Sequence, residues 1–234
     1  MLSYLMNISK KQFHDVRILF LSILTFPFFA TAQLQLAEIF SDNMVLQRGQ
    51  PIQFWGKATP EKTVTVLFAN QKINATVQKD SAWIVSFKAQ KSNAQPQSAF
   101  ITSGVEKIEI KNILIGDVWL CIGQSNMEWS MIKEMHYKEE IVNSQQPTLR
   151  LYNPVYAGKN TFNVSFTDSI TQNLTVEKFY KGQWQTCDSN SFKLMSAVGY
   201  YFGKRITSEL NVPVGVINLS IGGAPLVTFI CPGT

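Results

Sequence analysis

A Gly-Gln-Ser-Asn-Met run at 123–127 closes the apolar segment Val118-Trp119-Leu120-Cys121-Ile122. The apolar residues predict a buried strand, Gly123 a sharp turn, and Ser125 the start of a helix. A serine so placed can act as a nucleophile. Backbone N–H groups at the turn can face a developing oxyanion, and the helix start favours negative charge. The spacing is not the Gly-x-Ser-x-Gly elbow of the α/β-hydrolases, so that fold is not implied. Bases are scarce, because His14 and His136 are the only histidines. His136 follows Ser125 on an expected helix from Met127 to about Val142. At 1.5 Å per residue it would stand roughly 16 Å from Ser125, beyond the reach of a general base. A solvated helix histidine beside Lys133, Glu134 and Lys138 is the expectation. Glu128 is expected to stabilise the helix start rather than to abstract a proton.

A second candidate element is Gly222-Gly223, after the apolar run Val214 to Leu219. Glycine tolerates positive φ and close approach, so its N–H can be aimed where a side chain would clash. Both glycines are oxyanion-donor candidates beside the Ser125 N–H, and the sequence does not choose between them. Gln124 is placed either to touch substrate or to hydrogen-bond within the turn. Trp83 and Trp119, flanked by apolar residues, are expected in the core. Trp129 and Trp184 are the better candidates for stacking on a sugar.

The elements that must hold these residues fall into two parts. From Leu34 to about Ile110, short alternating runs (Thr63 to Phe68, Ile73 to Val77, Trp83 to Phe87, Lys107 to Ile110) lie between prolines and glycines. They predict a small β-sandwich with Phe54, Trp55, Val66, Phe68, Trp83, Val85 and Phe87 inside. After Ile113 the order becomes strand, helix, strand, helix, strand, as in a parallel α/β sheet. Leu194, Val198, Tyr201, Phe202, Ile206 and Leu210 recur at helical spacing and predict an amphipathic helix ended by Asn211 and Pro213. Residues 154–190 read as an insertion with a hairpin around Lys181-Gly182. The expected organisation is an export signal at 1–32, a β-sandwich at 33–111 and an α/β domain at 112–234.

The export signal rests on Lys10, Lys11 and Arg17 before the apolar run Ile18 to Ala30, and on the small-x-small site Ala30-Thr31-Ala32. The run holds Pro27 and is shorter than the roughly 20 residues of a membrane span, so no stable membrane insertion is expected after cleavage. Periplasmic or extracellular residence follows. Removing the segment takes away three cations and one anion, so the net charge falls from +5 to +3. The remaining charge forms no basic block, which argues against nucleic-acid binding. Cys121, Cys187 and Cys231 allow one disulfide and leave at least one free thiol. Their spacing is not that of a metal site, and none is expected.

The block Gly116-Asp117-Val118-Trp119-Leu120-Cys121-Ile122-Gly123-Gln124-Ser125-Asn126-Met127-Glu128 resembles the nucleophile block of the sialate O-acetylesterases, within the SGNH (GDSL-like) hydrolases. Ser41-Asp42-Asn43-Met44-Val45-Leu46-Gln47, Ser196 to Phe202 and Val212 to Ile217 are similar to the same family, in the same order. The resemblance implies a β-sandwich followed by an SGNH-type parallel-sheet hydrolase domain. It also implies a carbohydrate O-acetylesterase that acts on O-acetylated sialic acid or a related glycan through an acetyl-enzyme at Ser125. No cofactor is implied, since the serine carries the covalent step. Where the family reads Trp-Gly-Gly-Thr, this chain has Ile221-Gly222-Gly223-Ala224, with Val227 and Phe229 in place of a later acidic residue and Trp. Backbone donation survives that change, and side-chain contacts to a sugar do not. The family's further oxyanion asparagine and its Asp-x-x-His pair do not occur before Thr234. The chain therefore resembles a C-terminally truncated member with an incomplete sheet. The alternative is a non-catalytic glycan-binding protein with a degenerate hydrolase domain.

Overall fold

The computed structural model describes residues 33–161 and 163–229. The expected export signal and Cys231 lie outside them. The N-terminal strands are β1 (Gln35–Leu36), β2 (Val45–Gln47), β3 (Ile52–Lys57), β4 (Thr63–Phe68), β5 (Gln71–Thr76), β6 (Ala82–Phe87), β7 (Asn93–Ser103) and β8 (Glu106–Cys121). Alternation decides which side chains face inward. Val64, Val66 and Phe68 of β4 and Trp83, Val85 and Phe87 of β6 are buried. β1, β3 and β6 form one antiparallel sheet, while β4, β5, β7 and β8 belong to another. Phe54, Phe68 and Phe87 join the two sheets, with edge-on ring centroids 5.5–5.9 Å apart. Trp55, expected inside, is 42% exposed. It follows Phe54 in β3 and so points the opposite way, its ring edge-on to Phe40 at 4.5 Å.

β8 is longer than its expected piece at Lys107 to Ile110 and runs through the 111–112 position where a domain boundary was expected. The β7–β8 register steps from Ala99↔Ile110 to Gln97↔Ile113, so β8 carries one extra residue. Asn112 takes up that bulge at φ 56°. Past the bulge β8 joins a mixed α/β layer with β9 (Gln146–Tyr152), β12 (Trp184–Cys187) and β13 (Val214–Asn218). β13 lies between β8 and β9 and parallel to both, and β12 is antiparallel to β9. Two short strands, β10 (Val155–Tyr156) and β11 (Tyr180–Lys181), pair with each other. Lys181 therefore ends β11 and Gly182 begins the link to β12, so the pair is not the tip of the hairpin expected there.

The helices are α1 (Ser125–Glu128), α2 (Tyr137–Glu140), α3 (Asp168–Thr171) and α4 (Ala197–Leu210). Ser196 caps α4 by accepting the Gly199 N–H at 3.0 Å. Asn211 ends it in the left-handed region at φ 50°, as expected of that residue before Pro213. The buried stripe of α4 is only partly the predicted one, with Tyr201 and Ile206 packing part-buried against the core. Ala197, Gly199, Tyr200 and Gly203 are buried, whereas Val198 is 51% and Phe202 36% exposed. Small residues bring the helix close to the sheet. A Cβ at Gly203 would stand 2.7 Å from Val216 Cγ2 and 2.9 Å from Leu149 Cδ1. Trp119 is 43% exposed rather than core, because among the described residues β13 pairs with only one edge of Asp117–Cys121 and no strand flanks the other. Its ring meets Phe202 edge-on at 5.0 Å. Among the described residues no helix is long and apolar enough to cross a membrane.

Candidate active site

The carboxyl ends of parallel strands leave backbone and side chains facing a common crevice, the usual place for a ligand in an open α/β sheet. β8, β9 and β13 all deliver residues there. After β8 the chain turns at Gly123 (φ 146°), where a Cβ would meet Met127 Cβ at 3.2 Å, and Ser125 opens α1. After β9 comes Asn153, and β13 ends at Asn218 with Ser220 beyond. Ser125, Glu128, Trp129, Ser130, Asn153, Lys159, Asn218 and Ser220 are among the residues that line one cavity of about 680 Å³.

The floor of this cavity is a chain of hydrogen bonds. Ser220 Oγ donates to Asn218 Oδ1 at 2.6 Å, Asn218 Nδ2 to Asn153 Oδ1 at 2.9 Å, and Asn153 Nδ2 to Leu194 O at 2.8 Å. Asn218 and Ser220 are buried, so this network satisfies groups that would otherwise cost free energy. The sequence reading missed Asn153, Asn218 and Ser220. Their signal was their position, each at or just beyond the carboxyl end of an apolar run.

The expected site residues are distributed as follows. Ser125 is exposed at the head of a single helical turn, available to a ligand. Trp129 lines the same cavity, half-exposed, with Nε1 donating to Lys133 O and Lys133 Nζ 5.5 Å above its ring. Gln124 makes no capping bond and lines a neighbouring depression with Ser125, Asn126, Met127 and Val198. Trp184 is no stacking platform, being buried with its Nε1 donating to Ile39 O at 2.8 Å. The Gly222 N–H, one of the two expected donors, is given to Glu128 Oε2 at 2.8 Å. Gly223 has φ 79° and open space where a side chain would stand.

His136 does not lie on one continuous helix with Ser125. α1 ends at Glu128, a 3-10 turn covers Met131–Lys133, and His136 precedes α2, so the rise along a helix no longer measures its separation. It is exposed, its backbone N–H donates to Glu134 Oε2, and it is not among the residues lining the cavity. Among the described residues no group of three or more histidines, cysteines or carboxylates could hold a metal ion. Cys121 and Cys187 are free and buried. Burial pushes the Cys187 thiol up to about 12, which keeps it protonated and unreactive at neutral pH.

No family model matches the chain. It is 29% identical over 205 residues to human sialate O-acetylesterase, a match covering 81% of this chain and 37% of the relative. It is 27% identical over 204 residues to the mouse sialate O-acetylesterase, covering 80% and 36%. A carbohydrate acetylesterase from Xanthomonas citri shares its fold, with a TM-score of 0.70 at 24% identity over 82% of this chain and 41% of that one. The chain thus spans little more than a third of the length of these relatives.

Proposed function

We propose that this chain, similar to the sialate O-acetylesterases over most of its length, is a member of that family and works as an exported serine esterase that removes acetyl groups from sialic acid or a related glycan. The observation that carries the reading is Ser125, exposed on a glycine-turned strand end at the mouth of a cavity large enough for a sugar. In this mechanism Ser125 Oγ attacks the acetyl carbonyl, and backbone N–H groups of Ser125 and the Gly222-Gly223 loop meet the oxyanion. A general base takes the serine proton during the attack and returns it to the departing oxygen as the intermediate collapses, so the sugar leaves as an alcohol, and water then releases acetate from the acetyl-serine. Asn153, Asn218 and Ser220 offer polar contacts to hydroxyl groups, and Trp129 an apolar face. No histidine lines the cavity among the described residues.

The same observation favours a second reading, a glycan-binding site without turnover. Acetate release from an aryl acetate, with imidazole added as an external base, separates the two. The esterase reading expects imidazole to raise the rate in the unaltered chain, and Ser125→Ala to remove at least nine-tenths of that gain. A loss under about tenfold is a barrier change below about 1.4 kcal/mol, too small for a nucleophile. Binding of an O-acetylated sialoside with equal imidazole-dependent rates in both proteins would leave only the glycan-binding reading.

A further inference from the structure

The stretch from Gly123 to Glu128 is tied at both ends to the loop that follows β13. Ile221 N–H donates to Gly123 O at 3.0 Å, and Gly222 N–H donates to Glu128 Oε2 at 2.8 Å. Ser125 lies between these anchors, three residues before Glu128 and so on neighbouring ground of the same turn. A Cβ at position 222 would stand 2.5 Å from Glu128 Oε2 and would push the carboxylate off the amide, so glycine leaves room for this bond. Glu128 Oε1 is 3.7 Å from Lys159 Nζ, a cation supplied by the 154–190 segment. Gly223 differs from its neighbour. It is exposed, its φ of 79° suits glycine, nothing lies within 4 Å of where its Cβ would be, and its N–H meets no acceptor among the described residues.

From this arrangement we infer that Glu128 is the positioning residue of the oxyanion site and that Gly223, rather than Gly222, supplies the loop's free amide. The inference rests on the esterase reading of Ser125. A carboxylate accepting a backbone N–H makes a charge-assisted bond, stronger than a neutral one. It withdraws the Gly222 amide from substrate and fixes the loop against α1. The next amide, on the left-handed residue, is the one left over. A bare carboxylate so near the nucleophile would repel an oxyanion. Lys159 offsets that charge, which explains why an anion is tolerated as the tie.

The test uses the ¹⁵N-labelled chain and acetate, which is both the expected product and a carrier of an oxyanion-like oxygen. Acetate should shift the Gly223 amide signal and leave that of Gly222 nearly in place. Glu128→Ala should weaken acetate binding at least tenfold, about 1.4 kcal/mol. Glu128→Gln, which keeps an acceptor oxygen for Gly222, should restore most of it, a rescue that general loss of packing would not produce. Melting curves of each variant report whether the fold holds. If Glu128→Ala does not fold, the Gly222-against-Gly223 response and the glutamine variant decide. A response at Gly222 in place of Gly223, no response at either, unchanged affinity in Glu128→Ala, or a glutamine variant that fails to bind would each defeat the assignment. Ser125→Ala should keep the acetate response. If the Gly223 response follows expectation while hydrolysis is indifferent to Ser125, the nucleophile reading fails and the loop assignment stands. The opposite pattern removes the loop assignment alone.

Discussion

The Arg150 guanidinium donates through Nη2 to Asn112 Oδ1 at 3.1 Å, so a buried cation on β9 holds the residue at which β8 bulges. Nη1 donates to Thr186 Oγ1, with Asn43 Oδ1 at 3.5 Å, and Asn112 Nδ2 donates to Asn43 Oδ1 at 2.7 Å. Asn43 and Asn112 are both left-handed, at φ 68° and 56°. No carboxylate takes part among these contacts, and burial holds the Arg150 pKa below its ordinary value. A planar fork reaches acceptors on three segments that a point charge could not.

Arg150→Ala should therefore destabilise the fold by about 2–3 kcal/mol. The part-buried acceptors Asn112 Oδ1 and Thr186 Oγ1 would each lose a charged donor, at about 1–3 kcal/mol apiece, and relief of a desolvated charge returns part of that. Arg150→Lys should recover little. Urea unfolding followed by tryptophan fluorescence measures both. A midpoint unchanged in the alanine variant would show that the three acceptors find water instead.

Gly203→Ala in α4 sets two effects against each other. Helix propensity favours alanine by about 1 kcal/mol. The added Cβ would stand under 3 Å from Val216 and Leu149 side chains, and overpacking of that kind costs about 1–3 kcal/mol. Val216 of β13 and Leu149 of β9 are fully buried, so their methyl groups have little room to turn away. The clash should win, with a net loss of about 1 kcal/mol in thermal or urea unfolding. A stabilised variant would mean that α4 can lift from the sheet at little cost.

Cys187 links stability to alkaline pH. Its thiol is pushed up to about 12, first by burial and then by Asp188, against an ordinary value near 8.5. Between the two values the unfolded chain has lost a proton that the folded chain keeps, so stability falls as pH rises. The loss should begin near pH 9 and approach about 1.4 kcal/mol per pH unit before pH 12. Cys187→Ala should flatten that decline in urea titrations at pH 8, 9.5 and 11. An equally steep decline in the variant would assign it to other groups, such as Tyr200 and Tyr201, whose pKa values burial also raises.

Local sequence was enough for what depends on local geometry. The alternation in Thr63–Phe68 and Ala82–Phe87 determined which side chains face inward, because the side-chain period of a strand is two. Asn211 marked the end of α4. The turn at Gly123 and the exposure of Ser125 were legible from a glycine after an apolar run. Tertiary structure decided what needed a partner distant in the chain. The bulge at Asn112 becomes visible only when Arg150 and Asn43 are beside it. The buried face of α4 was read only in part, at Tyr201 and Ile206, because packing distance, set by Gly199 and Gly203, outweighed the larger apolar residues Val198 and Phe202. At the site, Gly222 and Gly223 looked alike as residues. They differ because Glu128, 94 residues earlier, takes one amide and leaves the other. Hydrogen-bond partners of that separation are matters of topology, which residue type and spacing do not encode.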